Sequence, residues 1–437
     1  MAGRKPRLLF LSYYFPPART IASVRSGAIA KWIARRGWDV TVVTPRVDVW
    51  KRTEDPEGEE RALAAEGIRC LRTPHPLSFL ASGHTVHFYE RLGKPGRALG
   101  ARAADRLRVL ASLWHLPPEI GWVRHVARLR LPNTEAPDLV LATGSPFAAF
   151  DSARRLADRY RCPFALDYRD LWTGNPHLET PPRAAEVARE ASLLEACAAA
   201  TTVSPSLSRS LAESFGFATK IHTVSNGYDG EALQSIRPRD FGHFAVVYTG
   251  LFYPPKRVLT PVAAALAELQ RRAPADLPDW RFHYFGRHEE HVRDEAARHG
   301  ISGRVICHGE VSRREALEAV RGAGVSVVIS TVMNQGTLAD EGVVTGKVFE
   351  AIGLRTPILA IAPPTSDLAA VIETSGLSRR FVGEDISGIA SFLHDRMRGV
   401  PMPGGRPEAY DWAELGPQLD RILRETLSAS ERPAPRP

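Results

Sequence analysis

Short apolar runs alternate along this chain with longer stretches in which apolar residues recur every three or four positions. Residues 8–12 form a run of the buried-strand type, 24–36 place Ile29, Trp32 and Ile33 at helical spacing, and 40–43 make a second run. Strand, loop, helix and strand in that order open a parallel α/β sheet. The alternation returns with strands near 139–143, 164–168, 201–203 and 222–225, and stops at the turn signal Asn226–Gly227 and the charged, proline-containing run 237–240. A second series follows, with strands near 245–250, 282–286, 305–308, 325–329 and 357–361 and helical patterns such as 260–271 and 313–320. The expected fold is α/β: two doubly wound domains, 1–236 and 241–405, whose strand ends face one another across a cleft. Residues 406–428 carry Trp412, Leu415, Leu419, Ile422 and Leu423 at helical spacing and predict a last helix that packs back toward the first domain. The charged, proline-rich 429–437 reads as a disordered tail.

The stretch 77–131 breaks the alternation with a basic helical insert, in which Arg91, Arg97, Arg102, Arg106, Arg124 and Arg128 interleave with Phe79, Tyr89, Trp114 and Trp122. Such an insert suits an anionic lipid surface. Helices packed on a sheet, with arginines reaching past apolar neighbours to water, would leave the same pattern. The net charge of +8 agrees with an anionic partner. No nucleic-acid signature is present, so none is expected as a partner.

Four scattered cysteines at no metal or redox spacing point to buried thiols in a reducing compartment. The N-terminal apolar run ends after about six residues and is followed by a proline pair, unlike a signal peptide. No run approaches the ~18 apolar residues of a membrane span. The expected location is cytoplasmic, or peripheral on the inner face of the membrane. Histidines include His283, His288 and His308; His288 and His291 stand at helical spacing with arginine and glutamate neighbours, and these read as solvated surface histidines.

Candidate chemistry concentrates in EGVVTGKVFEAIGLRTPILAIAPP, residues 341–364. Gly342 and Gly346 allow backbone amides to approach a ligand, Thr345 lies between them, and Lys347 opens a helix over 343–354. A helix N-terminus with a lysine favours an anion, and Glu350, about one turn on, can accept hydrogen bonds from sugar hydroxyls. An ordinary crossover with a solvated lysine and glutamate would read the same way. At the first strand end of the second domain, YTGLFYPPKR adds Gly250, Lys256 and Arg257. Two cationic clusters at strand ends of one sheet best suit a diphosphate. In the first domain, Pro17 and Arg19 follow the first strand, and LDYRDLWT sets Arg169 and Asp170 just past another. A simple loop ion pair is the bland alternative for those two. Walker A, GxGxxG, GxSxG and HExxH patterns are absent.

Taken together, LSYYFPP, GWDVTVVTP, LDYRDLWT, VSNGYD, the YTG loop ending in KR, and GKVFEAIGLRTPILAIAPPTSDL resemble the GT-B glycosyltransferases. The nearest group is the family 4-like enzymes of bacterial polysaccharide and lipid-linked sugar assembly. The resemblance implies two Rossmann-like domains and retaining transfer of a sugar from a nucleotide sugar, UDP by default, without a metal or other cofactor. It implies that Lys256 or Arg257 neutralises the donor diphosphate, that Glu350 holds ribose hydroxyls, and that Gly250 and the loop from Gly342 to Lys347 contact phosphate and donor sugar. Pro17, Arg19 and Arg25 would lie on the acceptor side, and Arg169, Asp170 and Glu341 would act at the reacting sugar. The chain departs from the family pattern at two places. Eight residues separate Glu341 from Glu350 where seven are usual, and Leu251 stands where an arginine commonly precedes the phosphate lysine. Lys347 is a candidate to replace that charge. The acceptor implied is lipid-linked or membrane-proximal. A soluble small molecule and a catalytically silent binding subunit are the competing readings.

Overall fold

The computed structural model describes residues 4–18, 20–46, 55–75, 119–176, 178, 180–272, 277–333 and 338–430. Arg19, the tail from 431 and most of the basic insert (76–118) lie outside the described residues, and with them the expectations placed there. The chain divides into two compact units, one of residues 1–203, 207–224 and 416–437, the other of 204–206 and 225–415.

The first unit holds a parallel sheet of β1 (Arg7–Leu11), β2 (Asp39–Pro45), β3 (Arg69–Thr73), β4 (Leu139–Gly144), β5 (Phe164–Tyr168), β6 (Ala199–Thr202) and β7 (Ile221–Thr223). Its order is β3-β2-β1-β4-β5-β6-β7, so the chain reverses direction across the sheet beside β1, where Phe10 faces Val42 on one side and Leu141 on the other. Continuous apolar runs are what a sheet covered on both faces requires. Helix Ile21–Arg35 follows β1 and is capped by Thr20, whose hydroxyl accepts the Ser23 amide at 3.2 Å. From Gly416 onward the last helix, Trp412–Ser430, belongs to this unit. Asp420 accepts the Trp38 indole N–H at 2.7 Å, and Gln418 donates to the Thr223 carbonyl at 2.8 Å.

The second unit repeats the plan with β8 (Phe244–Thr249), β9 (Trp280–Phe285), β10 (Val305–Cys307), β11 (Val325–Ile329), β12 (Ile358–Ile361) and β13 (Ser378–Phe381), ordered β10-β9-β8-β11-β12-β13. Alternation along β8 divides its core: Val246 and Tyr248 pack on one face, Ala245 and Val247 on the other. Among the described residues no helix is long and apolar enough to cross a membrane.

Two sequence expectations need correction. Trp122, grouped with the basic insert, is buried at 0% exposure, with its indole donating to Thr73 Oγ1 at 3.0 Å and its edge on Tyr13. Nor are the histidines all solvated. His291 accepts the Leu259 amide at 3.1 Å, and His283 is buried in β9 between His243 and His308. The three rings form a chain, His243 Nε2 to His283 Nε2 at 2.8 Å and His283 Nδ1 to His308 Nε2 at 2.9 Å. Each link needs one N–H and one lone pair, which neutral imidazoles supply when all donate in the same direction. Burial, then the charges of His308, His243, Arg239 and Arg281, push His283 down to about 3. The unfolded chain takes up a proton near 6.5 that the folded chain refuses. Stability should therefore fall between about pH 6.5 and 3, by about 1.4 kcal/mol per pH unit for this residue. Thermal unfolding of His283→Phe from pH 7 to 5 should lose about one proton's worth of that slope, and an unchanged slope would refute the assignment.

Candidate active site

In the second unit, β8 ends in Gly250, which has φ +105° and whose amide donates to the Phe285 carbonyl at 2.7 Å. A Cβ added at Gly250 would lie 1.9 Å from the Lys347 Nζ, so the lysine's head group rests where any other residue would put its side chain. Lys347 is the second residue of helix Gly346–Gly353, which starts later than the expected 343–354 because Val343 and Val344 stay outside it. Thr345 is its N-cap without a side-chain hydrogen bond, and no acidic residue stands in its first turn. The Val348 amide donates to the Thr345 carbonyl at 3.2 Å, whereas those of Gly346 and Lys347 precede the first intrahelical bond, and the partial positive charge of the helix start is not offset there.

Lys347 is largely buried, its Nζ lies 5.1 Å from the Tyr248 ring centre, and among the described residues no carboxylate pairs with it. Burial, then the Arg257 cation, push it down to about 8 against a smaller opposing pull from Glu350. Arg257 comes from the turn after β8, where its amide and carbonyl pair with those of Tyr253 at 2.9 and 2.8 Å. Its guanidinium stands over the Tyr253 ring at 5.4 Å, and its buried Nε has no hydrogen-bond partner among the described residues. Lys256 beside it is exposed and fixes the turn through its carbonyl, which accepts the Val332 amide at 2.8 Å. Gly250, Arg257, Gly346, Lys347 and Glu350 therefore share one site. A half-buried lysine and a buried arginine nitrogen, neither paired with an anion among the described residues, are the groups that favour binding one.

Glu350 is met by a residue that sequence reasoning missed. Arg313 donates from Nε at 3.1 Å and Nη2 at 2.8 Å, both to Glu350 Oε1. Arg313 opens helix Arg313–Gly322, whose capping box pairs Ser312 with Glu315. The S-x-x-E pattern marks that helix start in the sequence, whereas the pairing across 37 residues is set by the fold. Glu341 closes the short helix Leu338–Glu341 and accepts the Thr365 hydroxyl at 2.7 Å, while Gly342 is buried and its carbonyl accepts the Ser204 hydroxyl at 3.0 Å.

The first unit places Arg169 just past β5, donating to the Gly144 and Ser145 carbonyls at 2.7 and 3.0 Å and standing over the Tyr14 ring at 5.6 Å. Burial pushes this guanidinium down, with Asp170 pulling it back up. Asp170 is exposed beside it, and Pro17 is buried. Arg25, expected on the acceptor side, is 5% exposed and committed to the interior. Its Nε and Nη2 hold the Asp167 carboxylate at 3.2 and 2.7 Å, and Nη2 also donates to the Val224 carbonyl. Glu119, which no sequence pattern singles out, lies close enough to Tyr13 and Tyr14 to raise both, adding to the larger effect of their burial, and burial raises its own carboxyl.

Residues 22–227 match the sequence model of the glycosyl transferase 4-like domain. The chain carries a glycosyl transferase 4-like domain over those residues and has the GT-B fold. The transferase is similar in structure to sucrose-phosphate synthase from Thermosynechococcus elongatus, at 15% identity and TM-score 0.57 over 97% of this chain and 100% of that one. It is similar to Anabaena HepE in complex with UDP-glucose, at 12% identity and TM-score 0.56 over 96% and 99%. A third similar structure is the lipopolysaccharide outer core galactosyltransferase WaaB, at 11% identity and TM-score 0.56 over 96% and 99%. At such identities the likeness establishes the fold alone. No curated protein matches the transferase in sequence.

Proposed function

We propose that the transferase moves a sugar, with retention of configuration and without a metal ion, from a nucleoside-diphosphate sugar to a lipid-linked or membrane-proximal acceptor in surface-polysaccharide assembly. The observation that carries the donor half is the Lys347 ammonium over Gly250, uncompensated and beside Arg257. When the bond from the anomeric carbon to the diphosphate breaks, charge gathers on the departing phosphate. Fixed cations and helix amides favour that state over the bound donor. UDP is the nucleotide of choice because HepE is described with UDP-glucose and with UDP. Membrane-proximal polysaccharide work has the support of WaaB, and a soluble acceptor that of sucrose-phosphate synthase. Glu350 takes donor hydroxyls, and Gly342 and Thr345 approach phosphate and sugar. Arg169, Asp170 and Glu341 serve at the reacting sugar. Domain limits of 1–236 and 241–405 follow the same proposal.

Calorimetry with UDP-glucose tests the donor half. A sugar-capped diphosphate does not ionise near neutrality, so pH dependence below the alkaline range in which uracil loses its N3 proton comes from the protein. Anion binding needs Lys347 protonated. Affinity should be level below about pH 8, where the free lysine already holds its proton, and should fall up to tenfold per unit above it. Proton uptake on binding near pH 8 accompanies this. If neither UDP-glucose nor any ADP-, GDP- or CDP-sugar bound, the proposal would be wrong.

A further inference from the structure

Lys347 is a chemical exception in this chain. The sequence holds 50 arginines and seven lysines, so its positive charge is carried almost throughout by guanidinium groups, which stay protonated and do not act as nucleophiles. The other described lysines have settings that solvate or bind an ammonium. Lys5 and Lys256 are exposed, Lys220 donates to the Glu195 and Cys197 carbonyls at 2.6 and 3.1 Å, and the Lys31 Nζ lies 5.6 Å from the Trp32 ring centre. Lys347 is placed otherwise. Its Nζ sits over Gly250 and 5.1 Å from the Tyr248 ring centre, half-buried, with a second cation, Arg257, beside it. Burial and then that cation bring the amine down to about 8, so at neutral pH about a tenth of it is free base, against under about one in a thousand for a solvated lysine. A desolvated free amine is a nucleophile toward carbonyl carbon. Within the same cluster the Arg257 Nε is buried with no hydrogen-bond partner among the described residues, and the Gly346 and Lys347 amides precede the first bond of their helix. A molecule that joins an aldehyde to a phosphate meets both halves of this arrangement, the phosphate on the arginine and amides and the carbonyl carbon at Nζ.

We infer that Lys347 is a modification site for aldehydes that carry a phosphate, with which it forms a reversible imine. The Nζ lone pair attacks the carbonyl carbon, and the C–N bond forms as the carbonyl oxygen takes up a proton. The carbinolamine then loses water: its C–O bond breaks, and the two hydrogens lost from the amine leave with that oxygen. Addition of water reverses the sequence, and no oxidant or reductant is consumed. The adduct fills the space beside Gly250 and Arg257 and so excludes the donor; this consequence rests on the donor site proposed above, whereas the reactivity of Lys347 does not.

The test treats the full chain at pH 7 with pyridoxal 5′-phosphate, fixes imines with borohydride, and reads the adduct on each lysine by peptide mass spectrometry. Lys347 should carry at least fivefold more adduct than Lys5 or Lys256 of the same sample. With pyridoxal, which lacks the phosphate, that ratio should fall at least threefold. A smaller ratio with the phosphate ester, or one that pyridoxal reproduces, overturns the modification site. The labelling is then repeated with UDP-glucose and with ADP-, GDP- and CDP-sugars in excess, and at least one of them should suppress the adduct on Lys347 while sparing the exposed lysines. Selective, phosphate-dependent labelling that none of them suppresses upholds the modification site and refutes the donor site.

Discussion

Replacing Lys347 with methionine should sharply weaken donor binding and at the same time make the transferase more resistant to heat. The two outcomes share one cause. The side chain is half-buried, its Nζ fills the space over Gly250, and the nearest strong charge besides Glu350 is a second cation, Arg257. Holding an ammonium there costs the empty protein free energy, on the order of 1–3 kcal/mol by the depression of the lysine toward about 8. Methionine keeps the length and fills the same space without the charge. Stability should rise, seen as an unfolding midpoint a few degrees higher at pH 7. Binding loses its central cation, and removing one partner from a buried charge pair costs about 2–5 kcal/mol. UDP-glucose affinity should therefore fall about 30-fold to several thousandfold. Unaltered affinity would place the diphosphate elsewhere. A lower midpoint would mean that the lysine is compensated in the empty protein.

Arg25→Met is expected to have the opposite character, with a large loss of stability. Asp167 lies near the end of β5 with its carboxylate fully enclosed, and accepts Arg25 together with the Thr143 and Thr201 hydroxyls at 2.9 and 2.8 Å. Burial alone would raise this carboxyl; Arg25 and the two hydroxyls outweigh it and hold it below its ordinary value. Breaking such a pair leaves a buried charge without its counterion and costs about 3–5 kcal/mol. Arg25→Met with Asp167→Leu should recover most of that loss, because an apolar pair of similar volume replaces the ions. Denaturant midpoints of the first unit report both variants, and a single-variant cost below about 1 kcal/mol would contradict the pairing. The pair's contribution is complete above the ordinary aspartate range and disappears as acid protonates Asp167, so the single variant should lose its disadvantage at low pH.

Arg25 also shows where sequence reading stops. Most strands of both sheets are legible because each is a short apolar run between turn signals, whereas the edge strands β3 (RCLRT) and β13 (SRRF) are too polar to stand out and escape the sequence reading. The Gly342–Lys347 loop is legible because two glycines and a lysine ahead of a helix seldom serve packing alone. Partners are another matter. Arg169 and Asp170 stand out just beyond an apolar run, yet Asp167, three residues before Asp170, looks like part of one acidic segment. Only the register of β5 between β4 and β6 turns it inward to Arg25. Arg313 and Glu350 are similarly separated in sequence and joined by the placement of two helices. His283 is misread for a related reason: a polar residue between Phe282 and Tyr284 suggests an exposed face, whereas the sheet is covered on both sides.

The last helix has a consequence for the order of synthesis. Trp38 finds the acceptor for its indole N–H on Asp420, and Thr223 finds Gln418, so the first unit is finished by residues made after the entire second unit. On the ribosome its sheet can form early, but its closing contacts wait for the final segment to emerge. A chain stalled or cut between 236 and 416 leaves a buried-type tryptophan without its partner. Nascent chains of that length are accordingly the ones that chaperones and proteases should recognise, which makes completion of translation a checkpoint for the transferase.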